Sequence, residues 1–418
     1  MAAAVVQAPD SALQDSFKAL ELSYRDKQFA KQQLSRRIFQ TLYEPSLEWW
    51  SSNQAEYVKP SDDPLPAGFP ESVSPSSLWD GKILINEPTK WLYQFTEDDI
   101  RHINAAYDHF VSLNLPNNDI ARETFPISEE SNLHKALEKS AQEINHGLGL
   151  RVLRGLPVDS WTRSEQLIVF AGISAYIGGR RIKQGKQNVV HLRDITNLDV
   201  DQRPAITVKG QTSGNQVFHN DGSAGIVGLI TLGVAESGGL SQLSSVARTY
   251  NHLAETRRDI VRELAKDDWI NKVYPSGKPL IFAVGDNNVI SSYSRRPYFG
   301  FYEADPDVPA LPRQKHLALD AVHFTAEQFS LDLDLQKGDL EYFNNLTVFH
   351  ARTSSEDSET NARHLVRVWL ENQEQELPSD VREHYDRLND GIAHAWPLEA
   401  WDSTDPYATL TDPSTRAK

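Results

Sequence analysis

Apolar positions follow two regimes along the chain. Residues 11–45 carry helical spacing in a mixed-charge background, and the periodicity predicts further helices over 97–113 and 128–147, where apolar residues three and four apart share a face. Thr96 stands before Glu97, Asp98 and Asp99 as an N-cap with acids at the positive end of the helix. LGLRVLRGLP (148–157) reads as a strand ending at Gly-Leu-Pro. Thr162 and Glu165 have capping-box spacing, and the helix they open runs to Tyr176 and stops at Gly178-Gly179.

From 188 to 372 the texture changes to short apolar runs between turn residues: NVVHLRDI, NQVFH, GIVGLITLGVA, SQLSSV, PLIFAV, NNVISSY, FSLDLDL, DLEYF and RHLVRVWL. Helical insertions are predicted over 246–266 and 311–329. Many short strands with a few helices predict a mainly β, α+β domain, a sandwich or barrel core with helices packed outside. The Pro- and Ser-rich stretch from Pro60 to Ser77 reads as an irregular arm laid over a domain, or as a linker. The division expected is an N-terminal helical and Pro-rich arm (1–75), a central domain (76–378) and an acidic C-terminal tail (379–418).

The 42 Lys and Arg against 58 Asp and Glu give a net charge of −16, which argues against a protein built to grip nucleic acid or an anionic membrane. There is no cysteine, so disulfides, Cys-ligated zinc, iron–sulfur clusters and thiol nucleophiles are excluded. Any metal must be held by His and carboxylate. The N-terminus lacks a basic region followed by an apolar run, and the longest nearly apolar stretch, 225–235, is too short to span a bilayer, so a cytoplasmic protein is expected. Self-association is left open.

With 13 histidines available, His-x-Asp is the informative spacing, because residues i and i+2 of a strand point to one face. His384-Tyr385-Asp386 lies in a charged, helix-like segment and reads as a solvated helix face. His219-Asn220-Asp221 follows the strand-like NQVF and precedes a Gly turn, and His350, 131 residues later, ends an apolar β-branched run. Two imidazoles and one carboxylate on one side of an ion form the facial triad of non-haem Fe(II) oxygenases, while three-ligand zinc hydrolases share the donor count. Arg363 and Arg367 are four apart, so on a strand they share a face. A guanidinium near a metal suits a carboxylate co-substrate such as 2-oxoglutarate.

In this region the chain resembles the taurine dioxygenase (TauD/TfdA) family of Fe(II)/2-oxoglutarate oxygenases, particularly fungal relatives of similar length. The resemblance runs from about Leu78 to Trp369. It is carried by VLRGLPVDSW, IVFAGISAYIG, VVHLRD, FHND, ESGGLSQLSS, SRRPYFGF, FSLDLDLQKGDLEYFNNLTVFHAR and RHLVRVWL, in that order. It implies a double-stranded β-helix (jelly-roll) core, and Fe(II) bound by His219, Asp221 and His350. It further implies that Arg363 holds the C5 carboxylate of 2-oxoglutarate and that Ser241 contacts the same co-substrate, where taurine enzymes carry Thr. Arg367 and Asn215 fall at substrate-contact positions, and Phe343, Asn344 and Asn345 precede the distal histidine. The implied activity couples decarboxylation of 2-oxoglutarate, with O2, to C–H oxidation of a small polar molecule such as a sulfonate, an amino acid or a secondary metabolite. The competing readings are a zinc hydrolase on a β-barrel and a non-catalytic binding protein that keeps the fold.

Overall fold

The computed structural model describes residues 44–54, 63–182, 184, 189–194, 196, 209–222, 224–271, 274, 276–299, 311–372 and 382. The helix expected within 11–45, almost all of the tail after 379 and the His384-Tyr385-Asp386 tripeptide lie outside them.

The strands, in chain order, begin with β1 (Leu92–Gln94), β2 (Leu150–Arg154), β3 (Arg181–Ile182), β4 (Val189–Arg193) and β5 (Gln216–His219). They continue with β6 (Ile226–Gly233), β7 (Ser237–Gly238), β8 (Ser241–Ser245), β9 (Ile281–Val284) and β10 (Asn288–Ser291). The last are β11 (Leu331–Leu333), β12 (Leu340–Asn344), β13 (Val348–Arg352), β14 (Ser355–Glu356) and β15 (His364–Leu370). The larger sheet has the order β1-β2-β12-β6-β15-β3, with β4 also on β15; the smaller has the order β11-β8-β13-β5. Two further pairs, β9–β10 and β7–β14, stand apart. Apart from the parallel β1–β2 pair, the described pairings are antiparallel.

Alternation along each strand sorts side chains into three layers. On β12, Leu340 and Tyr342 join an apolar cluster with the helices Glu97–Ser112, Asn132–His146 and Arg163–Ile177, and the Tyr342 hydroxyl lies 2.8 Å from Ser174 Oγ. Phe343 faces the other way. It joins Val152, Leu229 and Leu365 of the larger sheet and Leu243, Leu333 and Val348 of the smaller one, so the inner faces of both sheets share one core. Behind the smaller sheet, Phe349 and Ala351 pack on the helices Val246–Thr256, Arg258–Leu264 and Arg313–Gln328. Burial of these apolar faces is the main favourable term holding the layers together.

The local signals explain most boundaries. Thr96 and Thr162 each close a capping box, with Asp99 and Glu165. The helix expected from 128 starts at Asn132, because the Ser131 hydroxyl accepts from His134 N at 3.0 Å and caps it there. The expected 246–266 helix is two helices, broken at Arg257, whose backbone (φ −144°, ψ 63°) leaves the helical region. No helix among the described residues is long and apolar enough to cross a membrane.

Gly172 lies in the helix Arg163–Ile177 where a Cβ would come within 2.5 Å of the Phe125 ring. Gly172→Ala gains about 1 kcal/mol of helix propensity but overpacks this contact at a cost of about 1–3 kcal/mol. Thermal unfolding is therefore expected to show a lower midpoint for Gly172→Ala; a raised midpoint would contradict this packing.

Candidate metal centre

β5 and β13 pair antiparallel with His350 directly opposite His219, and the pairing is irregular between His350 and Arg352. The two rings face each other with centroids 4.1 Å apart. Asp221 lies two residues beyond the end of β5, so strand alternation does not aim it. Asn345 does: its Oδ1 accepts from Asp221 N at 2.8 Å, and its Nδ2 donates to the carbonyls of Asp221 (2.7 Å) and Ala224 (2.8 Å). Asn220, between the two candidate ligands, turns its amide away. It donates to Asn345 O (2.6 Å) and accepts from Tyr293 N (2.9 Å). Asp221 Oδ1 is 3.7 Å from His219 Nε2 and Oδ2 is 3.8 Å from His350 Nε2. One donor atom from each of the three lies within 4.8 Å of the others.

The charge states suit a cation. His219 Nδ1 lies 2.8 Å from Val217 O, which requires the proton on Nδ1 and leaves the Nε2 lone pair facing Asp221 and His350. Burial lowers the pKa of His219 and, with the neighbouring His219 ring, holds that of His350 well below its usual value, so both imidazoles are neutral at pH 7. For Asp221, burial alone would raise the pKa. The Arg367 guanidinium, above all, and the Trp369 hydrogen bond outweigh it and keep the carboxylate ionised. Two neutral imidazoles and a carboxylate are a fitting donor set for a divalent cation.

Asp221 Oδ2 accepts from Arg367 Nη1 (3.0 Å) and Trp369 Nε1 (2.8 Å), while Arg367 Nε donates to Gln184 Oε1 (2.6 Å). Arg367 thus stands against the candidate ligand itself. Trp369 and Gln184 escaped sequence reading, although Trp369 lies two residues after Arg367 on the same strand face. Asn345, noted in the sequence only as preceding the distal histidine, is the brace of the Asp221 turn. Phe343 lies against His350, with ring centroids 4.8 Å apart. Asn215 instead donates to Glu44 Oε2 at 3.3 Å. His191 is on the helix-facing side of the sheet, 2.6 Å from His364.

One pleat away from the His350–Leu243 pair, Arg352 faces Ser241. Near this pair, just before β15, Arg363 is buried, and its backbone N–H donates to Asp357 Oδ1. Gly239, at φ +76°, passes under the Arg363 side chain, where a Cβ would come within 3.2 Å of its Cδ. No carboxylate among the described residues pairs with the Arg363 guanidinium. Burial and the nearby Arg352 hold its pKa well below the usual arginine value. Asp357 and Glu341 act against this shift from nearby, and a buried guanidinium with no carboxylate hydrogen-bonded to it suits an anion. Ser241 Oγ donates to Glu341, 2.9 Å from each carboxylate oxygen.

Residues 112–369 match the model of the family described as taurine catabolism dioxygenase TauD, TfdA. The chain is 31% identical over 309 residues to the taurine hydroxylase-like protein SAT17 of Stachybotrys chartarum, covering 68% of this chain and 79% of that protein. It is 23% identical over 317 residues to FR-33289 synthase of Streptomyces rubellomurinus, covering 71% and 90%. A solved structure of asparagine oxygenase with Fe(II), 2S,3S-3-hydroxyasparagine and succinate has a similar fold, with a TM-score of 0.52 at 15% identity over 67% of this chain and 93% of that one. The chain belongs to the TauD/TfdA family. It is a dioxygenase that depends on iron and 2-oxoglutarate, which removes the hydrolase alternative.

Asn345→Ala leaves the three donor side chains in place but frees the backbone that aims Asp221. Metal affinity, read by Co(II) titration of its visible absorption, is expected to fall about 10- to 100-fold, as for other residues that orient ligands. An unchanged affinity would contradict the bracing role.

Proposed function

We propose that His219, Asp221 and His350 hold Fe(II) and that Arg363 receives the distal carboxylate of 2-oxoglutarate, on a double-stranded β-helix core formed within residues 76–378. In this reading residues 1–75 and 379–418 are an arm and a tail outside the oxygenase domain. The enzyme oxidises a C–H bond of a small polar molecule carrying an acidic group, of the kind represented by sulfonates, amino acids or secondary metabolites. The observation that carries the reading is the convergence of two neutral imidazoles and an ionised carboxylate near a buried guanidinium that has no carboxylate partner of its own among the described residues.

When bound, the iron and 2-oxoglutarate supply the oxidising power: the co-substrate loses CO2, one atom of O2 enters the resulting succinate, and the other serves substrate oxidation. The chain's residues do the rest. His219 Nε2, His350 Nε2 and the Asp221 carboxylate present their donors from one side, leaving the other side for small molecules. Arg363 lies near Arg352 and Glu341, and Arg352 is one pleat from His350 along β13, so a five-carbon diacid held by Arg363 is directed toward the histidine end of the strand. Ser241 supplies a hydroxyl beside the same carboxylate. Arg367 binds Asp221 through Nη1 and Gln184 through Nε, and its Nη2, without a partner among the described residues, is directed to the acidic group of the substrate. Asn215, four residues before His219, reaches the substrate in this reading only by giving up its hydrogen bond to Glu44. Leu229, Leu243, Phe343 and Leu365 line an apolar interior that keeps water from the reacting centre.

The test is anaerobic titration of the Fe(II) protein with 2-oxoglutarate, followed by the visible charge-transfer band of the chelate. Arg363→Ala is expected to keep iron but weaken 2-oxoglutarate by about 2–4 kcal/mol, roughly 30- to 700-fold, the cost of truncating one partner of a buried charge pair. His350→Ala is expected to abolish the band. A wild-type protein that binds iron without developing the band, or an Arg363→Ala protein with unchanged affinity, would overturn the assignment.

A further inference from the structure

Between the sheets lies a buried acid that the proposed chemistry does not use. Glu341, on β12, is 1% exposed and points away from the helix-side cluster that takes its neighbours Leu340 and Tyr342. Across the sheet it is in register with Val152 of β2 and Leu229 of β6, both buried and apolar. From the smaller sheet only Ser241 reaches it by hydrogen bond, through the hydroxyl shared between its two oxygens. Arg363 acts on it from the segment before β15, attractively, and Asp339 acts from just before β12, repulsively. Asp339 is itself clamped by Arg154 Nε and Nη2 (2.7–3.1 Å). Arg352, beside Arg363, gives its Nη2 to the carbonyls of Thr212 and Gly214.

Charge bookkeeping in this closed space decides what Glu341 must do. The Arg352 guanidinium is offset by Asp194 and Asp357, which act on it electrostatically, so Arg363 brings one positive charge and the incoming carboxylate one negative charge. With Glu341 ionised, the pocket would hold a net negative charge out of water, which is strongly unfavourable. With Glu341 neutral, the guanidinium and the co-substrate carboxylate balance. The Ser241 hydroxyl has a single proton to give. An ionised Glu341 claims it; a protonated Glu341 can donate its own proton and release the Ser241 O–H toward the co-substrate.

We propose that Glu341 is the proton carrier of the co-substrate pocket: 2-oxoglutarate docks on Arg363 only with Glu341 as the neutral acid, so binding takes up one proton whenever Glu341 starts ionised. This inference rests on the assignment of Arg363 as the co-substrate anchor. Burial, opposed by the Ser241 hydrogen bond and Arg363 and reinforced by Asp339, pushes the Glu341 pKa up to about 7, so both forms are populated near neutral pH before co-substrate binds. The bound carboxylate raises it further. Affinity is therefore full below about pH 7 and declines as pH rises above it.

The test is anaerobic titration of the Fe(II) protein with 2-oxoglutarate between pH 7 and 9, read by the charge-transfer band, with calorimetry in two buffers of different ionisation enthalpy to count protons. The expected result is a dissociation constant rising toward about tenfold per pH unit, with up to one proton taken up at pH 8. Two controls isolate Glu341. Glu341→Gln, which keeps the shape of the side chain, is expected to bind with little pH dependence and no proton uptake. 2-Oxobutanoate, a keto acid without the distal carboxylate, is expected to show the same flat behaviour on wild-type protein, and it needs no variant. A wild-type protein that forms the band but takes up no proton overturns the inference alone, as does a Glu341→Gln protein that keeps the wild-type slope. Absence of the band at every pH overturns the Arg363 assignment as well.

Discussion

The register that sets His350 across from His219 is the constraint on which the site depends. A slip of one residue would carry His350 to the helix-facing side of the smaller sheet, where Phe349 and Ala351 now pack, and would break the centre. Both faces of β13 oppose that slip. Val348 belongs to the core between the sheets, while Phe349 and Ala351 fill the core behind them. The same turn that leads into β13 carries Asn345, which ties down Asp221. One short segment, residues 343–352, thus provides the wall of the site, the brace of the carboxylate and the distal histidine.

The interior between the sheets departs from an ordinary apolar core. Asp221, Glu341, Arg352, Arg363 and Arg367 all project into or beside it, and buried ionic groups of this kind are poor sources of stability. Their arrangement makes sense as preparation for charged ligands. In the proposed reading Asp221, balanced by Arg367, takes a cation, and Arg363, with no carboxylate hydrogen-bonded to its guanidinium among the described residues, takes an anion. Glu341 sits between these demands, with its charge open to change. The apolar residues around them exclude water and so strengthen each of these interactions.

Much of this was legible in the sequence, for identifiable reasons. His219, Asp221, His350 and Arg363 stood out because cysteine is absent and the remaining ligand types fall at strand ends or on strand-like runs. The reason offered for Asp221, a shared strand face with His219, was not the one the fold uses: the strand stops at His219, and Asn345 turns the carboxylate back. An Asn in a turn looks like any other turn residue until its partners are known. Glu341 stayed hidden because DLEYF alternates without saying which face is inward. The break at Arg257 involves neither Gly nor Pro, so periodicity ran straight through it. Gln184 approaches Arg367 from a distant part of the chain, a relation that a one-dimensional pattern does not carry.

The central claim is that one iron ion is gripped by three side chains from two paired strands and the turn beside them. Crystals grown anaerobically with Fe(II) and measured at the iron absorption edge test it most directly. The account expects a single strong anomalous peak within bonding distance of Nε2 of His219, Nε2 of His350 and a carboxylate oxygen of Asp221. A peak bonded to other residues, or none there in protein that carries one equivalent of iron, would contradict it.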